Sequence, residues 1–266
     1  MLRPHGDGFN HNLQALRIVE QFEQRYLDFP GLNLTFEVRE GIVKHSRDYD
    51  GAQYPALSEY LLDQRPPIEA QLIDFVDEIA YNTADLDDGY EAHVLDIEMI
   101  CAEAPLFARF YEEVERSHRH GVEKLKFNEA AKRVLDYLAT GLIENTRSAV
   151  AASGVKSVED VRHAPRRLAG FSASLIAENA ALKKFLHARL YNNPAIVGDR
   201  ERSVEALGQL FAYYVEHPAA MPKAYAELAQ RAPKYRVVCD YIAGMTDHFL
   251  LRQHTELLGS SSARSA

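Results

Sequence analysis

The chain is 266 residues long, 47% hydrophobic, and carries a formal net charge of −9. That length supports one sizeable core, or a domain with a helical extension, and the acidic balance argues against a dedicated basic nucleic-acid surface. Two cysteines, Cys101 and Cys239, give neither zinc spacing nor a disulfide framework, which suits a reducing cytoplasm, and no apolar run reaches membrane-spanning length.

In chain order, "MLRPHGDGFN" has no apolar core region and does not read as a secretory signal. A polar turn with Gly and His gives way almost at once to a helix, as though the chain opened in the middle of something. Helical periodicity then predicts helices over 9–27, 35–46, 55–63, 68–88, 90–101, 104–117, 121–152, 157–163, 170–191, 200–216, 220–230 and 234–257. "LNLTFEV" carries a short strand pattern but merges into "REGIVKH", which reads better as helix. Ser157 with a carboxylate three residues on marks a helix start. "NNP" at 192 and "HPAAMP" at 217 are breakers. The last residues, "GSSSARSA", are expected to be disordered. With no hairpin signal and no repeat, the expectation is an all-α fold without simple bundle symmetry.

One predicted helix stands out. "DFVDEIAYNTADLDDGYEA", residues 74–92, holds seven carboxylates in nineteen residues and no Lys or Arg. At about 100° per residue, Asp74, Asp77, Tyr81, Asp85 and Asp88 fall within roughly 80° of one another. Phe75, Val76, Ile79 and Leu86 fall on the opposite half. Two readings stay open: a solvated acidic face, or a face that awaits a cation. No i,i+4 partner relieves the repulsion, and a tyrosine at the centre of a solvated face gains little, so the second reading has weight.

Three further segments carry candidate residues. "GFNHNLQALRI" puts Asn12 and Gln14 just inside a helix start, where free amides suit an anion, although an ordinary capped helix explains them as well. "TFEVREGIVKHS" puts Lys44 and His45 at a helix C-terminus, where the macrodipole alone favours cations. "RVVCDYIAGMTDHF" sets Arg236 and Asp240 at i,i+4 above an apolar stripe, which reads equally as core packing with one ion pair. Walker, GxGxxG, GxSxG and HExxH motifs are absent, and none of the eleven histidines is followed by Asp.

Together these segments resemble, in order and from about Gly8 to Phe249, the dGTPase-type deoxynucleoside triphosphate triphosphohydrolases of the HD-domain superfamily. The resemblance implies an irregular multi-helix HD-domain-like fold. Its metal site, written His…His-Asp…Asp, holds a divalent Mg or Mn, and Asp77 matches the last ligand. The metal would polarise the α-phosphate and help form a hydroxide nucleophile. Tyr81 would pack on the deoxyribose, Asp85 would accept the sugar 3′-hydroxyl, Asn12 and Lys44 would contact phosphates with His45 beside them, and Arg236 would stand at the pocket edge.

The sequence departs from the family in two ways. The family's other metal ligands and its assisting His and Glu lie upstream of the segment resembling "GFNHN", so the expectation is a fold truncated at its N-terminus. Such a chain would bind no metal by itself and contain no catalytic residue of its own. Ala84 also stands where many relatives carry His. The domain expectation is a remainder of the catalytic core over 1–102, a helical region over 103–258 and a tail over 259–266. The function expected is deoxynucleoside triphosphate hydrolysis to deoxynucleoside and triphosphate, by a chain that is itself inactive. The alternative is a non-catalytic nucleotide-binding or oligomerising remnant. Expected partners are a deoxynucleoside triphosphate and further copies of the chain in the cytoplasm, with no membrane. Activation by single-stranded DNA follows from the family alone, and no basic stripe supports it.

Overall fold

The computed structural model describes residues 2–5 and 8–259, and the all-α expectation holds. In chain order the helices are α1 (His11–Arg17), α2 (Phe36–Lys44), α3 (Ile68–Glu91), α4 (Ile97–Glu103), α5 (Pro105–Ser117) and α6 (Glu123–Ser153). They continue with α7 (Val158–Arg162), α8 (Ala173–Leu186), α9 (Pro194–Glu216), α10 (Lys223–Leu228), α11 (Lys234–Ala243) and α12 (Asp247–Leu258). Among the described residues there is no strand, only one isolated bridge between Gln24 and Gly31. Among the described residues no helix is long and apolar enough to cross a membrane.

Local chemistry explains most boundaries. Ser157 caps α7 in a reciprocal box with Asp160. Pro194 opens α9, where its missing N–H costs nothing. The helix expected over 9–27 ends earlier: after α1 it widens into a π turn, Ile18–Phe22. The chain then reverses at Gly31, whose φ is +74° and where a Cβ would lie 2.4 Å from the Glu20 carbonyl oxygen, so only glycine fits. The helix expected over 234–257 is two helices, because Thr246 caps α12 by accepting the Phe249 amide at 3.2 Å. The tail expected over 259–266 lies outside the described residues, save Gly259.

The chain packs as two compact units. Among the described residues, one comprises 2–5, 8–14 and 194–259, the other 15–193. The boundary expected at 102/103 falls inside the second unit. The first is built on α9, which packs against α11 and α12 around Leu210, Phe211, Tyr214, Val237 and Val238. In the second, α6 buries Phe127, Ala130, Val134, Leu138 and Leu142, a stripe at helical spacing. That stripe packs against α3, α5 and α8.

Helix α3 buries Ile79, Asn82, Thr83, Leu86 and Gly89. Val76, expected on the buried half, is 54% exposed, and Ile73 is also exposed. The stripe that docks runs through Ile79, Asn82 and Leu86, which turns Val76 away from it. The apolar surface of α3 left open is therefore Ile73, Val76, Ala80 and Ala84, while Ile79 is covered.

Candidate functional site

The seam between α3 and α8 carries the site. Buried Asn82 donates through Nδ2 to the Asn179 side-chain oxygen at 3.0 Å, and Asn179 donates to Glu78 at 2.5 Å. Lys183 donates to the other Glu78 oxygen at 2.9 Å. A hydrogen-bonded amide pair buried between two helices fixes their register.

Beside this seam lies a groove of about 640 Å³. Asp74, Asp77, Glu78, Tyr81 and Asn82 of α3 form one wall. Lys183, Lys184, His187 and Tyr191 form the other. The second wall owes its shape to a π turn, His187–Tyr191, that follows α8. At 3.6 residues per turn, Tyr191 would sit about 80° round from Lys183. The wider i→i+5 turn brings it back into line with Lys183 and His187.

The Tyr191 hydroxyl donates to Asp85 Oδ2 in a very short contact, and its ring stands 6.1 Å from that of Tyr81. Burial, then the Asp85 carboxylate, push the Tyr191 hydroxyl far above the ordinary tyrosine range. Burial also raises the Asp85 carboxyl, against the pull of the Tyr191 hydroxyl and with help from Asp88.

The structure brings some expected residues together and leaves others apart. Asp77 and Tyr81 share the groove, and Asp85 joins it through Tyr191. His45 reaches the edge, with Nε2 3.9 Å from Asp74 Oδ1 and Nδ1 2.9 Å from the Ile42 carbonyl. Lys44, one residue earlier, turns inward and is not in the groove. Its ammonium donates to Glu40 at 3.0 Å and to the carbonyls of Tyr60 and Leu61 at 3.2 and 2.8 Å. A buried cation is satisfied there by a carboxylate and two carbonyls, and burial holds it below the ordinary lysine range despite Glu40.

Asn12 and Arg236 belong to the other unit. Asn12 is fully buried, and the Asn10 side chain accepts the amides of Asn12 and Leu13 at 3.0 and 3.3 Å, so this helix start is capped. Arg236 donates to the Gly8 carbonyl at 3.2 Å, and Gln14 donates to Asp240 at 3.1 Å. That unit also holds a largely apolar cavity of about 570 Å³, whose lining includes Leu207, Phe211 and Ile242. Among the described residues its lining includes one charged side chain, Arg3.

Among the described residues no group of three or more His, Cys, Asp or Glu side chains is placed to hold a metal ion. One exposed carboxylate does not hold a divalent ion against water, so these residues do not by themselves fit the metal that the resemblance implies. The sequence reading missed Lys183, Lys184, His187 and Tyr191. The available signal was the spacing of "KKFLHARLY", which puts Lys183 and His187 one turn apart; it does not place Tyr191, whose direction depends on the π turn.

Comparison with known proteins bears on what this groove belongs to. The model of a phosphohydrolase-associated domain matches residues 169–256, which include the cationic wall. A deoxyguanosinetriphosphate triphosphohydrolase-like protein of Geobacter sulfurreducens is 39% identical over 250 residues, covering 94% of this chain and 64% of the relative. Proteins of the same name from Bordetella pertussis and Thiobacillus denitrificans are 38% and 36% identical over 257 residues, covering 96% of this chain and 66% and 67% of those relatives. The chain thus spans about two thirds of the length of these curated relatives. It belongs to the family of deoxyguanosinetriphosphate triphosphohydrolase-like proteins, within the HD-domain superfamily.

Proposed function

We propose that this chain supplies the sugar-holding wall of a deoxynucleoside triphosphate triphosphohydrolase, which converts a dNTP and water to deoxynucleoside and triphosphate. The observation that carries this reading is the groove itself, with Asp77 and Tyr81 facing Lys184 and His187 across about 640 Å³. Tyr81, 56% exposed, offers its ring to the deoxyribose at C2′, where a ribose hydroxyl would collide. Asp85 accepts the 3′-hydroxyl. Lys184 sets a positive potential for the phosphates, and His187 beside it offers a ring N–H donor. A phosphate contact from Lys44 would require its ammonium to leave Glu40 and two carbonyls, and the reading does not depend on it.

The family implies a divalent metal with Asp77 as one ligand. The described residues do not complete that site. On its own the chain should bind nucleotide without turnover. That shortage of ligands also favours the second reading, a non-catalytic nucleotide-binding chain. The purified protein with Mn²⁺ and each dNTP should release no triphosphate above background; chelator-sensitive release that is lost in Asp77→Ala overturns this. It should bind dATP more tightly than ATP, and equal binding overturns the assignment of Tyr81.

A further inference from the structure

We infer that Tyr191 is a positioning residue that holds the Asp85 carboxylate as the acceptor for the sugar 3′-hydroxyl, an inference that rests on the nucleotide reading above. Asp85 is half-buried, and Tyr191 donates its hydroxyl to Oδ2. Oδ1 has no hydrogen-bond partner among the described residues and is left to accept. A carboxylate on a helix surface otherwise rotates about χ1 and χ2, and one donor fixed from a second helix removes that freedom.

The bond is not required to hold the two walls together. Asn82, Asn179, Glu78 and Lys183 already staple α3 to α8 through three hydrogen bonds. The π turn adds a second argument. An α-helical continuation would carry Tyr191 round the helix, so the widened turn is what delivers its hydroxyl to Asp85. Such turns recur at functional sites. The Tyr191 ring also stands beside Tyr81, so the two rings and the fixed carboxylate form one corner that fits a flat sugar edge carrying a single hydroxyl.

The test pairs each of the four dNTPs with its 2′,3′-dideoxy counterpart and measures binding to the full 266-residue chain by ligand-observed NMR. A hydrogen bond to a charged acceptor should make the dNTP of each pair bind about tenfold tighter. Tyr191→Phe keeps the ring and should bring that ratio within about threefold, leaving dideoxy binding unchanged. Asp85→Asn should do the same, and the double variant should match Asp85→Asn alone, because one residue acts through the other. A full tenfold preference retained in Tyr191→Phe overturns the inference. So does an equal loss of both ligands, or additive effects in the double variant, either of which marks a merely structural role. If the unaltered chain shows no preference in any pair, the sugar role of Asp85 fails and takes the inference with it.

Discussion

Two charged regions of the larger unit look alike in sequence and differ in structure. Around α2, Glu40 is fully buried and both its oxygens are used, one by Lys44 at 3.0 Å and one by Arg162 at 2.7 Å. On α3, Asp77 is exposed and has no ion pair among the described residues, while Lys184, equally unpaired, stands across the groove. A charge cluster that closes on itself under cover is part of the scaffold. Opposite charges held apart across an open volume leave their attraction for something else to satisfy. The difference lies in which groups still have unmet potential, not in how many charges each region carries.

The largest effect that would break this contrast is expected at Glu40. Glu40→Ala strands a buried ammonium and a guanidinium, and should destabilise the protein by about 3–5 kcal/mol in urea denaturation. A loss under about 1 kcal/mol would show that water reaches the cluster. Next comes Tyr60→Phe. The Tyr60 hydroxyl donates to Glu20 at 3.0 Å and accepts from Arg39 at 3.1 Å, so its removal should cost about 1–2 kcal/mol.

The groove should behave in the opposite way. Asp77→Ala should shift stability by no more than about 0.5 kcal/mol in either direction, as for an ordinary surface site. A large loss would move Asp77 from the site to the scaffold.

Asp85 sharpens the contrast through pH. Burial raises its folded carboxyl above the ordinary aspartate value, so the unfolded chain gives up its proton first. Stability therefore falls as pH rises from the ordinary value, near 4, through the raised one, and the full cost is present above both. Asp85→Asn should remove that fall, leaving the variant more stable than the native chain at pH 7 and not at pH 3.5. Denaturation curves at the two pH values decide it, and a variant less stable at pH 7 would show that Asp85 serves the fold.

Much of this was legible in the sequence, for physical reasons that also mark where legibility ended. The face shared by Asp77, Tyr81 and Asp85 follows from helical repeat alone, and the Ser157 start follows from a local capping box. Lys44 was harder. Its position at the end of α2 is a local fact, but the direction of its ammonium depends on the carbonyls of Tyr60 and Leu61, which sequence spacing does not place. Val76 was misassigned because a mean helical projection does not say which flank of an apolar half docks. Tyr191 was missed for two reasons. Its partner lies 106 residues away, and a π turn, invisible to a 3.6-residue projection, sets its direction. The break at Gly244–Thr246 could have been found, since Thr before an acid and an apolar run is a cap signal.

The distance along the chain between the two groove walls has a kinetic consequence. Helices α5 and α6 are joined by residues 118–122 and can pair as a local hairpin. The α3–α8 seam closes over 97 residues at Asn82–Asn179. Loop-closure entropy makes the seam about 2–3 kcal/mol harder to form than the hairpin, and contacts so remote form late. Pulse-labelled hydrogen exchange during refolding should protect amides near Leu138 of α6 before those near Leu182 of α8. During synthesis the order is stricter still: Asp85 leaves the ribosome 106 residues ahead of Tyr191, so the acid wall waits, exposed, for the wall that answers it.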